Sequence, residues 1–451
     1  MVGKRPASAH AVPRLRECNA LGVFTAIACL FGITALLAFV NDRYLHLQAD
    51  IGLLLSAVTL TVLLRLAELA VPLGVIDQLE QLTQSFNLND TLLKGVLCFM
   101  LFRGSVAVRW ANLRSQRWLV LSLAFAGTTL ACIFTGLLAY GGLRMAGAAV
   151  TPAQALLFGA LIAATDPVAA LAILGRLGLP TNLETVIDGE SLLNDGVAVV
   201  LFTVFAVTAI EGSAPTWSGS AAIFAREFLG GCVLGVLGWL VIHHLLPRST
   251  DYATGLLVSL AAVAGLYATA LHLHVSGPIA TVIAGLLTGN RTLQQVPNPV
   301  VEPLRTFWSG MDEVLNALLF VFVGLHVVLI NPLSGVVPGV PGLTAILAVL
   351  VARAAAVWLI VGALDAVGRI EADRWGLTKL LTWGGLRGGL SLALAVSLPD
   401  SDWKPLILNM TFATVVFSIV VQGLTIGRMF TTAQLARLLK DGPEPTRSSP
   451  R

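Results

Sequence analysis

The feature that most constrains this chain is its succession of apolar segments, each long enough to cross a bilayer. A membrane-spanning helix needs about 20 mostly apolar residues. Thirteen segments approach this length. They lie at 20–40, 51–71, 91–111, 117–141, 153–176, 187–210, 224–246, 252–272, 275–290, 312–330, 343–364, 377–398 and 405–428. We therefore expect an all-α polytopic membrane protein with about 13 transmembrane helices.

The composition agrees with a membrane protein and excludes most other classes. Only 12% of the residues are charged, against roughly 25% in a soluble globular protein. The mean hydropathy is +0.84, so a disordered chain, a coiled coil and a soluble enzyme are all disfavoured. No basic run is interleaved with aromatic residues and no P-loop is present. We therefore expect the lipid bilayer as a partner, and neither nucleic acid, nor nucleotide, nor a cofactor.

The loop charges predict how the chain lies in the membrane. An odd number of spans places the two termini on opposite sides. About twice as many Lys and Arg residues fall on the side of the C-terminus as on the other side, which predicts a cytoplasmic C-terminus. Short loops and low charge favour a bacterial inner (plasma) membrane. We expect a transmembrane domain over 20–430, with an N-terminal tail over 1–19 and a C-terminal tail over 431–451.

An Asp-Pro pair interrupts the fifth apolar segment at its centre. Pro167 has no N–H to donate and its ring clashes with the carbonyl of Ala163, so the helix should break there. Asp166 and, in the next segment, Asp195 lie at similar distances from the turn that joins the two segments. Both carboxyl groups should then lie near mid-membrane. Two carboxylates beside a broken helix predict a cation or proton site.

A second interruption lies in the twelfth segment. Four glycines surround Arg387 within six residues, namely Gly384, Gly385, Gly388 and Gly389. Glycines at this density loosen a helix, although they also permit close packing of neighbouring helices. Spans one to six and eight to thirteen would then be two inverted six-helix repeats, with broken fifth and twelfth helices. Arg387 is expected to balance the partial negative ends of the broken half-helices.

A charged residue at the middle of the eleventh segment needs an acid at the same depth. For Arg353 the best candidate is Glu190, with Asn194 as a second acceptor. This pairing would leave Asp195 as the unpaired carboxylate. A carboxylate without a fixed partner can hold a proton or a cation in turn, which is the minimum that antiport requires.

These motifs together resemble the cation:proton antiporters of the NhaP/NHE type. They occur in order and extend over most of the chain. The motifs are Thr165-Asp166-Pro167, Glu190-Ser191-Leu192-Leu193-Asn194-Asp195, His274-Val275-Ser276-Gly277-Pro278, Arg353, and Gly384-Gly385-Leu386-Arg387-Gly388-Gly389. The resemblance implies an NhaA/NhaP-like fold and exchange of Na+, or of Li+ or K+, for H+, with a role in pH homeostasis and no enzymatic activity. It also implies cation ligands at Asp195, Asp166, Ser191 and Thr165.

The resemblance carries further expectations about roles and assembly. It implies a structural cluster of Glu190, Asn194 and Arg353. It implies a homodimer with core helices at about 117–210 and 343–428, interface helices at about 20–111 and 252–330, and a linker helix at about 224–246. Asn194 before Asp195 suggests electroneutral exchange, one cation for one proton.

Arg103 departs from the family pattern, which often has an acid at this position. Either its side chain turns away towards the interface, or the site works with fewer acids. Three alternatives therefore remain: a K+:proton antiporter, a transporter uncoupled from cations by Arg103, and, remotely, an intramembrane aspartyl enzyme. The last lacks a Gly-x-Gly-Asp segment, and a His-Glu-x-x-His metal helix is also absent.

Overall fold

The computed structural model describes residues 14–70, 91–211, 217–330, 339–370 and 372–439, and most of them are helical. The main helices are α1 (Arg14–Val40), α2 (Ala49–Ala70), α3 (Thr91–Ala107), α4 (Arg117–Met145), α5a (Pro152–Leu161), α5b (Val168–Arg176), α6 (Thr181–Glu211), α7 (Trp217–Leu245), α8 (Tyr252–Leu273), α9 (Gly277–Leu287), α10 (Asn298–Ile330), α11 (Val340–Ala366), α12a (Arg374–Gly384), α12b (Gly389–Val396) and α13 (Lys404–Met429). Shorter helices at Trp110–Ser115 and Thr432–Leu435 follow α3 and α13.

Each predicted segment overlaps a helix or a pair of half-helices. Within the described ranges, eight helices are long and apolar enough to cross a membrane. The other predicted segments correspond to the short helices α3 and α9, to the two broken helices, and to α10, which carries several charges in its first half. The multi-pass membrane architecture is therefore confirmed, whereas the number of thirteen spans and the inverted repeat stay predictions.

Four helices begin at least six residues earlier than the hydropathy indicates. The starts are Arg14 instead of 20 for α1, Thr181 instead of 187 for α6, Trp217 instead of 224 for α7, and Asn298 instead of 312 for α10. The polar first turns of these helices escape a search for apolar segments. In α10 the early turns still bury Leu304 and Trp308, so one apolar face fixes the helix there. Of the expected tails, residues 1–13 and 440–451 lie outside the described part of the chain.

Two helices are broken where the sequence predicts it. α5a begins at a capping box made by Thr151 and Gln154 and ends at Leu161, and α5b starts only at Val168. α12a ends at Gly384 and α12b starts at Gly389. The extended backbone between the halves leaves amide and carbonyl groups without helical partners, and these groups need others.

The helices pack in groups that place the two breaks near each other. α11 lies against α4, α13 and α12a, and α5a lies against α4 and α6. A separate apolar cluster joins α3, α7, α8, α9 and α10. α2 packs along α10, and α12b contacts α10 as well. The division into core and interface helices is not tested by these contacts and stays a prediction.

We expect the contact between α4 and α5a to tolerate no side chain at Gly159. A Cβ atom there would lie 2.2 Å from the carbonyl oxygen of Cys132 on α4. Gly159→Ala should push the helices apart and cost about 1–3 kcal/mol, which thermal unfolding of the purified protein in detergent measures. Gly141→Ala on α4, with nothing within 4 Å of its added Cβ, is the matched control. Equal unfolding temperatures for the two variants would contradict this packing.

Candidate functional site

The extended stretches of the two broken helices cross each other. The amide of Asp166 donates a hydrogen bond of 2.7 Å to the carbonyl oxygen of Leu386. The two residues form an isolated antiparallel bridge. One backbone amide of the first break is thus satisfied by one carbonyl of the second, and the bridge fixes the two breaks side by side.

Arg387 joins the breaks with its side chain. Its Nη1 atom donates to the carbonyl oxygens of Ala163 and Ala164, at 2.8 and 2.9 Å. Its own amide donates to Ser418 Oγ at 2.9 Å, and the residue is 3% exposed. The carbonyls lie just beyond the end of α5a, where a helix carries partial negative charge. The sequence predicts that the positive charge of Arg387 lies at the end of a half-helix, and this contact is present.

Glu190 and Arg353 form a buried ion pair across α6 and α11. Arg353 Nη1 lies 2.6 Å from Glu190 Oε1, and Nη2 lies 2.8 Å from Oε2. Both side chains are 3% exposed. Arg353 also donates to the carbonyl oxygen of Leu381, near the end of α12a. The expected contact is therefore present, in the bidentate geometry that arginine and carboxylate favour.

Asn194 does not serve as the second acceptor for Arg353, so this part of the prediction is wrong. Its Oδ1 accepts from the amide of Thr165 at 3.3 Å, and its Nδ2 donates to Thr165 Oγ1 at 2.7 Å and to Glu190 Oε1 at 3.4 Å. The break in α5 frees the Thr165 amide, which binds the nearest acceptor on α6. Ser191 Oγ donates to the carbonyl oxygen of Thr165. The two hydroxyl residues are thus linked to each other and to Asn194.

A cavity of about 140 Å³ lies beside this crossing, and Asp166, Asp195, Thr165 and Ser191 are among its lining residues. The volume has room for several water molecules. Asp166 Oδ1 accepts from the amide of Val168 at 3.0 Å. Asp195 makes no side-chain hydrogen bond or ion pair with any described residue. The structure thus brings the four predicted ligand residues to one cavity and leaves Asp195, among these four, without a fixed partner.

Two glycines allow the second break to approach the first. A Cβ atom at Gly388 would lie 2.5 Å from Asp166 Oδ2, and one at Gly389 would lie 2.3 Å from a methyl carbon of Leu319. Gly385 lies beside the Arg353 guanidinium. The glycines therefore do more than loosen the helix, because any side chain at residue 388 would fill the space of the Asp166 carboxylate.

Arg103 stays in the wall of the cavity. Its Nε lies 3.7 Å from Asp312 Oδ2, and its Nη2 donates to Ser309 Oγ at 3.4 Å. The alternative in which Arg103 turns away from the site is not what the structure has. Asp188 lines the same cavity.

Sequence reasoning missed several polar residues around this site. Asp312 and Asn316 line the cavity, and Asn316 Nδ2 donates to Asp50 Oδ1 at 3.2 Å. Asp50 is only 6% exposed. The i, i+4 spacing of Asp312 and Asn316 on α10 was an available signal. A segment that begins at 312 places Asp312 at the end of its span, where a charged side chain needs no partner.

The arrangement is rich in oxygen atoms and suits a small hard cation, which prefers oxygen ligands. Within the described residues, no group of three or more His, Cys, Asp or Glu side chains is placed to hold a resident metal ion. A single ion bound at the crossing would meet the carboxylates of Asp166 and Asp195, which line the cavity together with Asp188 and Asp312. A proton would meet the same groups.

Comparison with known proteins points to one family. The family model described as "Sodium/hydrogen exchanger, transmembrane" matches residues 71–432. The chain is 39% identical over 411 residues to the Na(+)/H(+) antiporter NhaP of Pseudomonas aeruginosa. This alignment covers 89% of the chain and 95% of that protein. It is 35% identical over 362 residues to the Na(+)/H(+) antiporter NhaH of Halobacillus dabanensis, covering 78% of this chain and 86% of that protein.

A solved structure shares the fold. The sodium proton antiporter MjNhaP1 from Methanocaldococcus jannaschii at pH 8 superposes with a TM-score of 0.73. The match covers 92% of this chain and 99% of that chain, at 19% sequence identity. At this identity the likeness concerns the fold alone.

We expect removal of one partner of the buried ion pair to destabilise the protein strongly. Arg353→Ala leaves Glu190 buried and uncompensated, which should cost about 3–5 kcal/mol. The double variant Glu190→Gln with Arg353→Gln removes both charges and should be less destabilised than Arg353→Ala alone. Thermal unfolding of the purified variants tests this order. The reverse order would show that the pair does not neutralise itself in the folded protein.

Proposed function

Since the chain belongs to the sodium/hydrogen exchanger family, we propose that it exchanges Na+ for protons across a membrane as a secondary active transporter. The observation that carries the proposal is the unpartnered carboxylate of Asp195, beside Asp166, in a cavity next to two crossed helix breaks. The ion would be held by Asp195 and Asp166, with oxygen atoms of Ser191 and Thr165 as further ligands. No cofactor is needed, because the ion gradients supply the energy.

Exchange follows from competition for the same oxygen atoms. A proton on Asp195 removes the negative charge that attracts the cation, and a bound cation opposes protonation. The site is then occupied by one or the other, and each occupant crosses when the cavity changes the side to which it opens. The predicted inverted repeats would supply that change by moving against each other.

The neighbouring charges support a one-for-one exchange. Glu190 is paired with Arg353, and the residue before Asp195 is the neutral amide Asn194. Asp195 is then the carboxylate left to gain and lose the proton while a monovalent cation is exchanged for it. We therefore propose electroneutral transport.

We further propose a homodimer in a bacterial inner (plasma) membrane, with a cytoplasmic C-terminus. The excess of Lys and Arg on the side of the C-terminus supports the orientation. The separate apolar cluster of α3, α7, α8, α9 and α10 supports a division between core helices and interface helices. Cross-linking in native membranes and accessibility of single cysteines from either side would test both parts.

The direct test uses purified protein in sealed liposomes with an acidic interior. Na+, Li+ or K+ is added outside in separate runs, and a pH-sensitive dye follows the interior. Dissipation of the gradient by Na+ supports the proposal, and dissipation by K+ alone makes the protein a K+:proton antiporter. Valinomycin with K+ clamps the voltage, and an unchanged rate under the clamp supports electroneutrality. No response to any cation would contradict coupled exchange.

We predict that Asp195→Asn abolishes the Na+-dependent pH change, because the predicted ligand carboxylate that has no fixed partner is then replaced by a neutral amide. Asp166→Asn should leave a reduced rate, since Asp195 can still exchange its proton. Asp400→Asn is the control, because Asp400 pairs with Lys404 at an exposed position away from the cavity. Exchange at the normal rate by folded Asp195→Asn protein would contradict the assignment.

We predict that Arg103→Gln lowers the KM for Na+ by roughly threefold to tenfold, because it removes a positive charge from the wall of the cavity. Asp312→Asn should raise the KM, since it leaves the same guanidinium without its carboxylate. Rates measured over a range of Na+ concentrations separate KM from kcat. Opposite shifts in the two variants support this role for Arg103, and an unchanged KM in both would exclude it.

A further inference from the structure

A second cavity, of about 810 Å³, lies beyond Arg103 and outside the cation site. It is bounded by the ends of α3 and α9 and by the first turns of α10. The side chain of Asn290 fixes two of these segments together. Its Nδ2 donates to the carbonyl oxygen of Val108 at 2.8 Å, and its Oδ1 accepts from the amide of Trp110 at 2.6 Å. Arg109 lies between Val108 and Trp110 in the sequence, and Arg291 directly follows Asn290.

The lining of this cavity is strongly basic. Four arginines contribute to it, and within the described part of the chain no Asp or Glu is among the lining residues. The arginines are Arg103, Arg109, Arg291 and Arg305. They come from three separate segments, so their convergence is a product of the fold and not of a basic run in the sequence.

Two of the four guanidinium groups are already neutralised. Arg103 lies 3.7 Å from Asp312, and Arg305 lies 3.5 Å from the exposed Glu302. Arg109 and Arg291 form no ion pair with any described residue. The cavity therefore carries two uncompensated positive charges, which attract an anionic phosphate group.

A buried hydroxyl group in the same wall also lacks a partner. Thr288 is 2% exposed and lines the cavity, and its Oγ1 has no hydrogen-bond partner in the described structure. A buried hydroxyl without a partner is unfavourable by about 1–3 kcal/mol. A ligand oxygen would satisfy it. The enrichment of arginine on one side of a membrane explains basic loops, but it does not explain an unsatisfied hydroxyl buried in the wall of a basic cavity.

We propose that this cavity binds the phosphate group of an anionic ligand, with Arg109 and Arg291 as the charged contacts and Thr288 as a hydroxyl donor. Guanidinium groups match the paired oxygen atoms of phosphate. The phosphate comes either from the headgroup of an anionic phospholipid or from free phosphate. The apolar residues Val106, Leu287 and Leu304 in the same wall suit the glycerol and upper acyl region of a lipid.

The test compares two probes on the full chain in a neutral detergent. One series is titrated with inorganic phosphate and the other with short-chain phosphatidylglycerol, and phosphatidylcholine, whose zwitterionic headgroup has no net charge, is the reference. Native mass spectrometry counts bound lipid, and thermal unfolding reports stabilisation by either probe. Both measurements are repeated at increasing NaCl, because a contact to phosphate made by exposed arginines weakens as salt screens it.

Arg109→Gln with Arg291→Gln removes the two uncompensated charges. The matched control is Arg114→Gln with Arg176→Gln, which removes the same charge from exposed positions outside the cavity. Thr288→Val keeps the shape of the side chain and removes its hydroxyl, and it serves as a second variant if the arginine variant fails to fold. We expect the affinity to fall at least about tenfold in the cavity variants and to be unchanged in the control.

Each outcome decides the proposal. Stabilisation by phosphatidylglycerol but not by phosphatidylcholine, lost only in the cavity variants, supports a lipid headgroup. Stabilisation by inorganic phosphate with the same dependence supports free phosphate. Binding of neither probe, equal binding of the two lipids, or binding that survives in the cavity variants overturns the proposal.

Discussion

The structure depends on satisfying the backbone groups that two helix breaks expose inside a membrane protein. Lipid offers no hydrogen bonds, so irregular backbone is tolerated there only where protein or water supplies partners. Here each break supplies partners for the other. Leu386 accepts from the amide of Asp166, and Arg387 donates to the carbonyl oxygens of Ala163 and Ala164. At the crossing both helices lose their internal backbone hydrogen bonds, and the same crossing supplies the contacts that hold the two helices together.

The position of the cation site follows from this crossing. The break in α5 turns Asp166 towards the cavity, and the hydroxyl and amide groups of Thr165, Ser191 and Asn194 bind one another beside it. Glu190 is neutralised by Arg353. With these groups committed, Asp195 is the one of the four proposed ligand residues that is free to exchange its partner. The proposed transport chemistry therefore depends on how completely the surrounding polar groups satisfy each other.

The breaks and the main ion pair were predictable, because each has a local cause in the sequence. Pro167 cannot continue a helix, four glycines surround Arg387, and a buried Arg353 demands an acid at its own depth. The partner of Asn194 and the contact between Arg103 and Asp312 were not predictable, because they depend on how helices distant in sequence are rotated about their axes. The early start of α10 was missed for a different reason: its first turns are charged on one face and buried on another, which an apolar search does not detect.

The measurement that tests the central claim most directly is the proton count of Na+ binding. Isothermal titration of purified protein with NaCl, in buffers of different ionisation enthalpy, gives the number of protons released for each Na+ bound. If Na+ and a proton compete for Asp195, binding should release up to about one proton at the pH where the carboxyl is protonated, and none where it is already ionised. Na+ binding with no proton release at any pH would contradict the account.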